Sequence, residues 1–266
     1  MITAEGFGLE GPRGWVFRDV TFTAPAGSLI AVEGASGSGR TSLLLALTGR
    51  MRAGEGHAEV AGYRLPRQLA AVRRVAALGP VDGVFELDPA LTVGEHLRER
   101  VLLQQRFGDS LRQLVRPRAE RQAAGRLRVA EALEAAGLDP ATLPKAERTA
   151  ARDLERLEAL RLGTALALLG RPRVLAVDDA DHKLGPAERD LAWAMLRGVA
   201  AGGTTVLAVC TQAPEDDAVV VRTHPPVAAG GPDSATGSGI GTGAGGNAVP
   251  TSEEGASDAH AAAGSA

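Results

Sequence analysis

One cysteine, Cys210, stands in 266 residues, which excludes an internal disulfide and fits a reducing compartment. No apolar run is long enough to cross a bilayer, and Met1-Ile2-Thr3-Ala4-Glu5 lacks the basic start and apolar stretch of a secretion signal. A soluble, cytoplasmic chain is therefore expected. A surplus of charge is missing too. All 29 basic residues lie at or before Arg222; of the 32 acidic ones, only Asp233, Glu253, Glu254 and Asp258 lie beyond it. A body so close to neutrality argues against a nucleic-acid partner. His57, His96 and His182 are scattered without metal-ligand spacing, and no Ser, His, Asp set for acyl transfer can be assembled. There is no internal repeat.

The 44% apolar content is enough for a packed core. Trp15 to Thr23 mixes aromatic and β-branched residues, and Ala58 to Leu65 follows the turn-like Gly54-Glu55-Gly56. Arg74 to Leu78, Val174 to Val177 and Thr205 to Cys210 are further runs of strand length, the last two separated by helical sequence. Strands alternating with helices predict a mostly parallel sheet with helices packed on it. Between His96 and Leu169 the pattern becomes long and helical, over Leu97 to Arg106, Ala119 to Ala136 and Thr149 to Leu169, so a helical insert interrupts the α/β body. Nine arginines against four acids between Glu95 and Arg128 read as a solvated helix face; the sharper reading is a contact with a membrane subunit or anionic lipid. From Thr223 to Ala266 the composition turns to Gly, Ala, Ser, Thr and Pro with no aromatic residue, the mark of a disordered tail. Its Gly241-Thr242-Gly243-Ala244-Gly245-Gly246 matches a dinucleotide fingerprint by letter only, since no strand precedes it and no helix follows.

The most informative run is Val32 to Ser42. A strand-like Leu29 to Val32 leads into Gly34, Ala35, Ser36, Gly37, Ser38, Gly39, Arg40, Thr41 and Ser42, and a helix-like Leu43 to Leu47 follows. Glycines at 34, 37 and 39 let the backbone wrap so that successive amides and a helix N-terminus converge on one anion. The pattern G-x-x-x-x-G-K-[ST] places a lysine on the β- and γ-phosphates and a hydroxyl on magnesium. Arg40 and Thr41 fill those positions here. Arginine keeps the charge, but its planar fork cannot set one compact ammonium where lysine would. Downstream, Arg173-Val174-Leu175-Ala176-Val177-Asp178-Asp179 is an apolar strand ending in carboxylates. Asp178 is then a candidate magnesium ligand, and Asp179 the candidate to orient or activate water.

In their order these segments resemble the ATP-binding subunit of an ABC transporter, over about residues 1 to 222. Gly34 to Ser42 looks like its Walker A. Leu91-Thr92-Val93-Gly94-Glu95-His96-Leu97 resembles the entry to its helical subdomain, Leu168 to Asp179 its Walker B approach, and Thr204 to Val209 its last core strand. The resemblance implies an α/β P-loop NTPase: a mostly parallel sheet flanked by helices, an antiparallel β edge, and an inserted helical subdomain at about 96–169, ahead of a tail at 223–266. It also implies ATP with Mg2+, a second ATP-binding subunit in a homo- or heterodimer, a separately encoded membrane-spanning subunit, and a peripheral place on the cytoplasmic face of the membrane.

Several positions depart from the family pattern. Its catalytic glutamate falls on Asp179, one methylene shorter. Its magnesium-coupling glutamine falls near Val81, with Asp82 adjacent, and its switch histidine on Thr211. The signature Leu-Ser-Gly-Gly-Gln falls on Leu154-Glu155-Arg156-Leu157-Glu158, where Leu154, Leu157, Leu160 and Leu162 suggest a helix continuing through the site with Glu155 and Glu158 on its surface. The segment that crosses the dimer interface falls on His182-Lys183-Leu184-Gly185. Trp15 and Phe17 read as core, and no nucleotide-stacking aromatic is evident upstream of them. The expectation is a subunit that binds Mg-ATP with weak or absent hydrolysis. The alternatives are a fully active transport ATPase and a nucleotide-responsive regulatory scaffold. A small-molecule kinase would need a lid and an acceptor site, and neither is found.

Overall fold

A computed structural model of the chain describes residues 1–107 and 117–223. All but the first residue of the expected tail, and with it the glycine match at 241–246, lie outside the described residues.

Two sheets and six α-helices, with three short 3-10 turns, make up the described fold. Strands β1 (Ile2–Gly11) and β2 (Gly14–Ala24) pair antiparallel, β3 (Leu29–Glu33) leads through the glycine loop to α1 (Arg40–Leu47), and β4 (Glu55–Val60) with β5 (Tyr63–Leu65) joins β1. The chain then passes through α2 (Leu69–Val75) and β6 (Ala76–Leu78) into the insert of α3 (Val93–Phe107), α4 (Arg118–Ala135) and α5 (Arg156–Leu168). It returns through β7 (Val174–Val177), α6 (Pro186–Ala201), β8 (Thr205–Cys210) and β9 (Ala218–Arg222). The antiparallel strands form a sheet of their own in the order β2-β1-β4-β5, and the parallel sheet runs β6-β7-β8-β3-β9.

Every residue of β7 and β8, and Leu29 to Val32 of β3, is buried, as expected of parallel strands covered on both faces. Side chains alternate along each strand, so the sheet divides the core in two. Ile30, Val32, Val174, Ala176, Leu207 and Val209 pack with Leu43, Leu44 and Leu47 of α1 and with the antiparallel sheet. Leu29, Ala31, Leu175, Val177, Val206 and Ala208 face the helical insert and α6. Glu33 lies opposite both Cys210 and Arg222, and Val177 opposite Ala208, so all these strands end at one edge. The loops leaving that edge carry the candidate residues, where ligands bind in open α/β sheets.

Element boundaries differ from the sequence reading for local reasons. Arg74 and Val75 close α2, and the strand begins only at Ala76. Ala58 to Leu65 is a hairpin turning at Ala61-Gly62, both at positive φ. Helix α3 starts before His96 because Glu95 accepts from the Thr92 N–H at 2.8 Å and the Thr92 hydroxyl at 2.7 Å, a reciprocal cap. Helix α5 does not continue through 149–155. Ala151–Asp153 is a 3-10 turn, Glu155 is the N-cap, and its N–H donates to the Glu158 carboxylate at 2.9 Å. Trp15 is only half-buried, with the Arg18 guanidinium 4.8 Å over its ring, whereas Phe17 is core and packs on Phe7.

Candidate functional site

The glycine loop joins the end of β3 to the start of α1, as its flanks predict. Gly37 and Gly39 have φ of 80° and 81°, the left-handed region that a side chain makes costly. At Gly39 space forbids one as well, because a Cβ would collide with the Val16 carbonyl of β2. Ala35, Ser36 and Gly37 are exposed at the crest, Ser38 is fully buried, and Arg40, Thr41 and Ser42 are half-buried in the first turn of α1. First-turn amides have no carbonyl partner within their own helix, so they face the space the loop encircles.

Thr41 and Asp178 are brought together. The Thr41 hydroxyl donates to the Asp178 carboxylate, which also accepts the Asp179 N–H at 3.1 Å. Asp178 is 5% exposed, and burial pushes its carboxyl above the usual range, against the Thr41 bond that pulls it down. The neighbouring Asp179 charge pushes in the same direction as burial, and the Arg40 charge opposes it. Asp179 is half-buried at a positive φ of 46°.

Arg40 does not hang free. Its Nη1 donates to the Cys210 carbonyl at the end of β8, a short bond tying the start of α1 to the neighbouring strand. The Cys210 thiol below is buried and pushed up to about 12, by desolvation first and then by the Asp181 and Glu33 charges.

Three further residues brace this edge without any local sequence signal. Asp181 is buried, and its carboxylate accepts from the Thr211 N–H at 2.9 Å and the Gln212 N–H at 3.1 Å. Arg156 donates to the Asp179 carbonyl at 3.3 Å and the His182 carbonyl at 3.2 Å, clamping the start of α5 to the turn after β7. Glu33 accepts from Ala213 N–H at 3.1 Å and Arg222 Nε at 2.9 Å, and these bonds hold its carboxyl below the ordinary range. Each is a long-range contact to backbone or to a distant side chain.

A sequence profile described as ABC transporter matches residues 17–182. The chain belongs to the ABC transporter family. It is 31% identical over 199 residues to an energy-coupling factor transporter ATP-binding protein of Symbiobacterium thermophilum, covering 74% of this chain and 64% of that protein. It is 28% identical over 192 residues to a Nod factor export ATP-binding protein of Rhizobium johnstonii, covering 72% and 55%. It is 33% identical over 211 residues to a cytochrome c biogenesis ATP-binding export protein of Bordetella parapertussis, covering 76% and 80%. The chain thus spans less than two thirds of the first two of these relatives. Among solved structures, an ATP-binding cassette dimer in a post-hydrolysis state with ADP and Pi has a TM-score of 0.61 at 19% identity, covering 84% of this chain and 94% of that one. The ABC transporter complex component cbiO1 of Clostridium perfringens has a TM-score of 0.61 at 16% identity, covering 79% and 78%. At such identities the likeness shows the fold, and the fold is that of the ABC cassette.

Within the ABC framework, the remaining positions fall as follows. Val81 is 1% exposed and packs in the core, its N–H bonded to the Phe85 carbonyl, so the only polar side chain of that pair is the exposed Asp82. Thr211 is exposed just past β8, with its N–H held by Asp181. Glu155, Arg156 and Glu158 together form the N-terminal turn of α5. His57 lies 3.4 Å from Glu5, His96 is buried with its ring 3.2 Å from the Asp88 carbonyl, and His182 is exposed.

Proposed function

We propose that this chain is an ATP-binding subunit of an ABC-type transporter that holds Mg-ATP with weak or absent hydrolysis. Gly34 to Ser42 cradle the phosphates through loop and first-turn amides, with Arg40 as the fixed cation. Thr41 and Asp178 hold magnesium, and Asp179 is a poor base. The observation that carries the reading is the Thr41–Asp178 contact beside a glycine loop that opens a helix. A hydroxyl and a carboxylate are hard oxygen donors of the kind magnesium takes alongside phosphate. A buried carboxylate with a raised pKa gains more from a cation than an exposed one does. Magnesium would supply charge neutralisation between the phosphate oxygens.

Weak turnover follows from what this chain's residues can reach. Arg40 has five donors and gives one to the Cys210 carbonyl. It therefore contributes charge from an anchored position and cannot follow phosphate oxygens as a mobile ammonium does. Asp179 is one methylene shorter than glutamate and sits on a turn that Arg156 clamps, so a water positioned for attack lies farther from its acceptor. Losing one well-placed group of this kind costs about 3 kcal/mol of barrier, or more than a hundredfold in rate.

In this reading the subunit pairs with a second ATP-binding subunit and docks on a separately encoded membrane-spanning subunit, peripheral on the cytoplasmic face. Co-purification with a membrane protein in detergent is the expected outcome, and consistent purification without one contradicts the transport role. Calorimetry of ATP into the purified chain, with magnesium and with EDTA, tests the site. Binding that requires magnesium and disappears in Asp178→Ala is expected. Absence of binding, or binding indifferent to both changes, overturns it.

A further inference from the structure

Ser38 stands between the two left-handed glycines and is the one fully buried side chain of the loop, at 0% exposed. Its hydroxyl lies 2.7 Å from the Thr223 hydroxyl, 185 residues away in sequence. Thr223 follows β9 and is itself 5% exposed. Its N–H donates to the Glu33 carbonyl at 2.9 Å, and its Oγ1 lies within 3.4 Å of the same oxygen. Either hydroxyl can donate across this contact, and the Glu33 carbonyl is a second acceptor within reach of the Thr223 hydroxyl. The approach is close enough that a side-chain carbon on Gly34 would sit 2.5 Å from Thr223 Oγ1 and 2.6 Å from Ser38 Oγ. Thr223 therefore reaches both the first glycine of the loop and its buried serine, while Glu33, the last residue before the loop, is tied to Arg222 and Ala213.

We infer that Thr223 is a positioning residue of the phosphate loop, holding it through Ser38 in the curved form that a polyphosphate requires. The inference rests on the nucleotide-binding reading above. A loop turning on two left-handed glycines has much conformational freedom to lose when an anion organises it. A pin that removes this freedom beforehand lowers the cost of binding. Thr223 lies outside the contiguous loop motif, at the point where the sequence pattern suggests that ordered structure ends.

The test uses the full chain with Thr223→Val, which removes the hydroxyl at nearly constant shape, Thr223→Ser, which keeps it, Ser38→Ala, and the Ser38→Ala/Thr223→Val pair. Calorimetry is run with Mg-ATP and with Mg-tripolyphosphate, a ligand with no base or sugar. Thr223→Val is expected to weaken both about fivefold, the effect of one buried hydrogen bond. Thr223→Ser should bind as the unaltered chain does, and the double change should be no weaker than either single one, because both break the same contact. Amide exchange at residues 34–39 of the nucleotide-free protein gives an independent reading: faster in Thr223→Val, restored in Thr223→Ser. Unchanged exchange overturns the inference whatever the binding result, and faster exchange with unchanged affinity overturns it as well. If the unaltered chain binds neither ligand, the nucleotide reading fails, and exchange alone then decides whether Thr223 fixes the loop.

Discussion

At Asp178 the needs of folding conflict with those of the metal binding proposed for it. Its carboxylate is buried at the end of an apolar strand with the Thr41 hydroxyl and the Asp179 N–H for company, and burial raises its pKa. A raised carboxyl pKa means that folding favours the protonated form. The metal-free chain therefore gains stability from this group as pH falls, holds that gain fully below the unfolded pKa, and loses it as pH rises through the folded one. Asp178→Asn keeps a carbonyl oxygen to accept the Asp179 N–H and removes the charge. Thermal melts in EDTA at neutral pH should show this variant melting higher than the unaltered chain, while calorimetry shows magnesium-dependent ATP binding gone. A lower melting temperature would mean that the charge is compensated in a way the burial and partners do not indicate. Cys210 offers a second residue-scale check. A buried thiol pushed up to about 12 is almost wholly protonated at pH 8 and shielded as well. Alkylation by iodoacetamide should occur only on unfolding; rapid labelling of the folded chain would contradict the packing at the end of β8.

At the scale of elements, α5 links the helical insert to the site. Its first turn is closed internally, by Glu158 on the Glu155 N–H and by Arg156 on the carbonyls of Asp179 and His182. Further along, Gly163 packs against Pro80 so closely that a Cβ would overlap the proline ring, and the Pro80 carbonyl accepts the Asp178 N–H at 3.1 Å. Gly163→Ala should therefore cost about 1–3 kcal/mol in urea unfolding, the range for overpacking a filled core, despite alanine's better helix propensity. A neutral or stabilising result would show that the Pro80 loop yields freely. These elements also show what sequence can and cannot reveal. Strands β7 and β8, and all but the last residue of β3, are buried on both faces and therefore stand out as continuous apolar runs. The phosphate loop stands out because its chemistry is contiguous. Strand β1 does not, since its apolar alternation is broken at Gly6 and Gly8, where its pairing with β2 and β4 shifts register. Strand β9 is a short edge run beside an acidic turn and a Gly-rich tail. The start of α5 is hidden in the sequence because Leu154 and Leu157 keep helical spacing across a boundary that Glu158 sets by capping. Asp181, Arg156 and Thr223 act through backbone or far-off partners, for which no local pattern exists.

For the molecule as a whole, the parallel sheet gathers the carboxyl ends of β3, β7, β8 and β9 at one edge, so that the phosphate loop, Asp178 and Thr223 share it. The start of α5 is the part that, by resemblance to the family, would cap the nucleotide of an opposite subunit. In this chain that turn carries Glu155 and Glu158, and its arginine is engaged within its own subunit. Two carboxylates facing a triphosphate repel it. The chain alone should therefore stay monomeric in sedimentation runs with saturating Mg-ATP, and a nucleotide-driven self-dimer would show that the turn rearranges. The central claim is retention of nucleotide with weak or absent turnover. It is tested most directly by titrating Mg-ATP calorimetrically into the purified full chain and then following phosphate release from the same sample. Saturable, magnesium-dependent binding with phosphate release absent or far slower than about 1 s−1 is the predicted result. Sustained release at about 1 s−1 or faster, the working range of enzymes, would contradict it and make the chain a functioning ATPase.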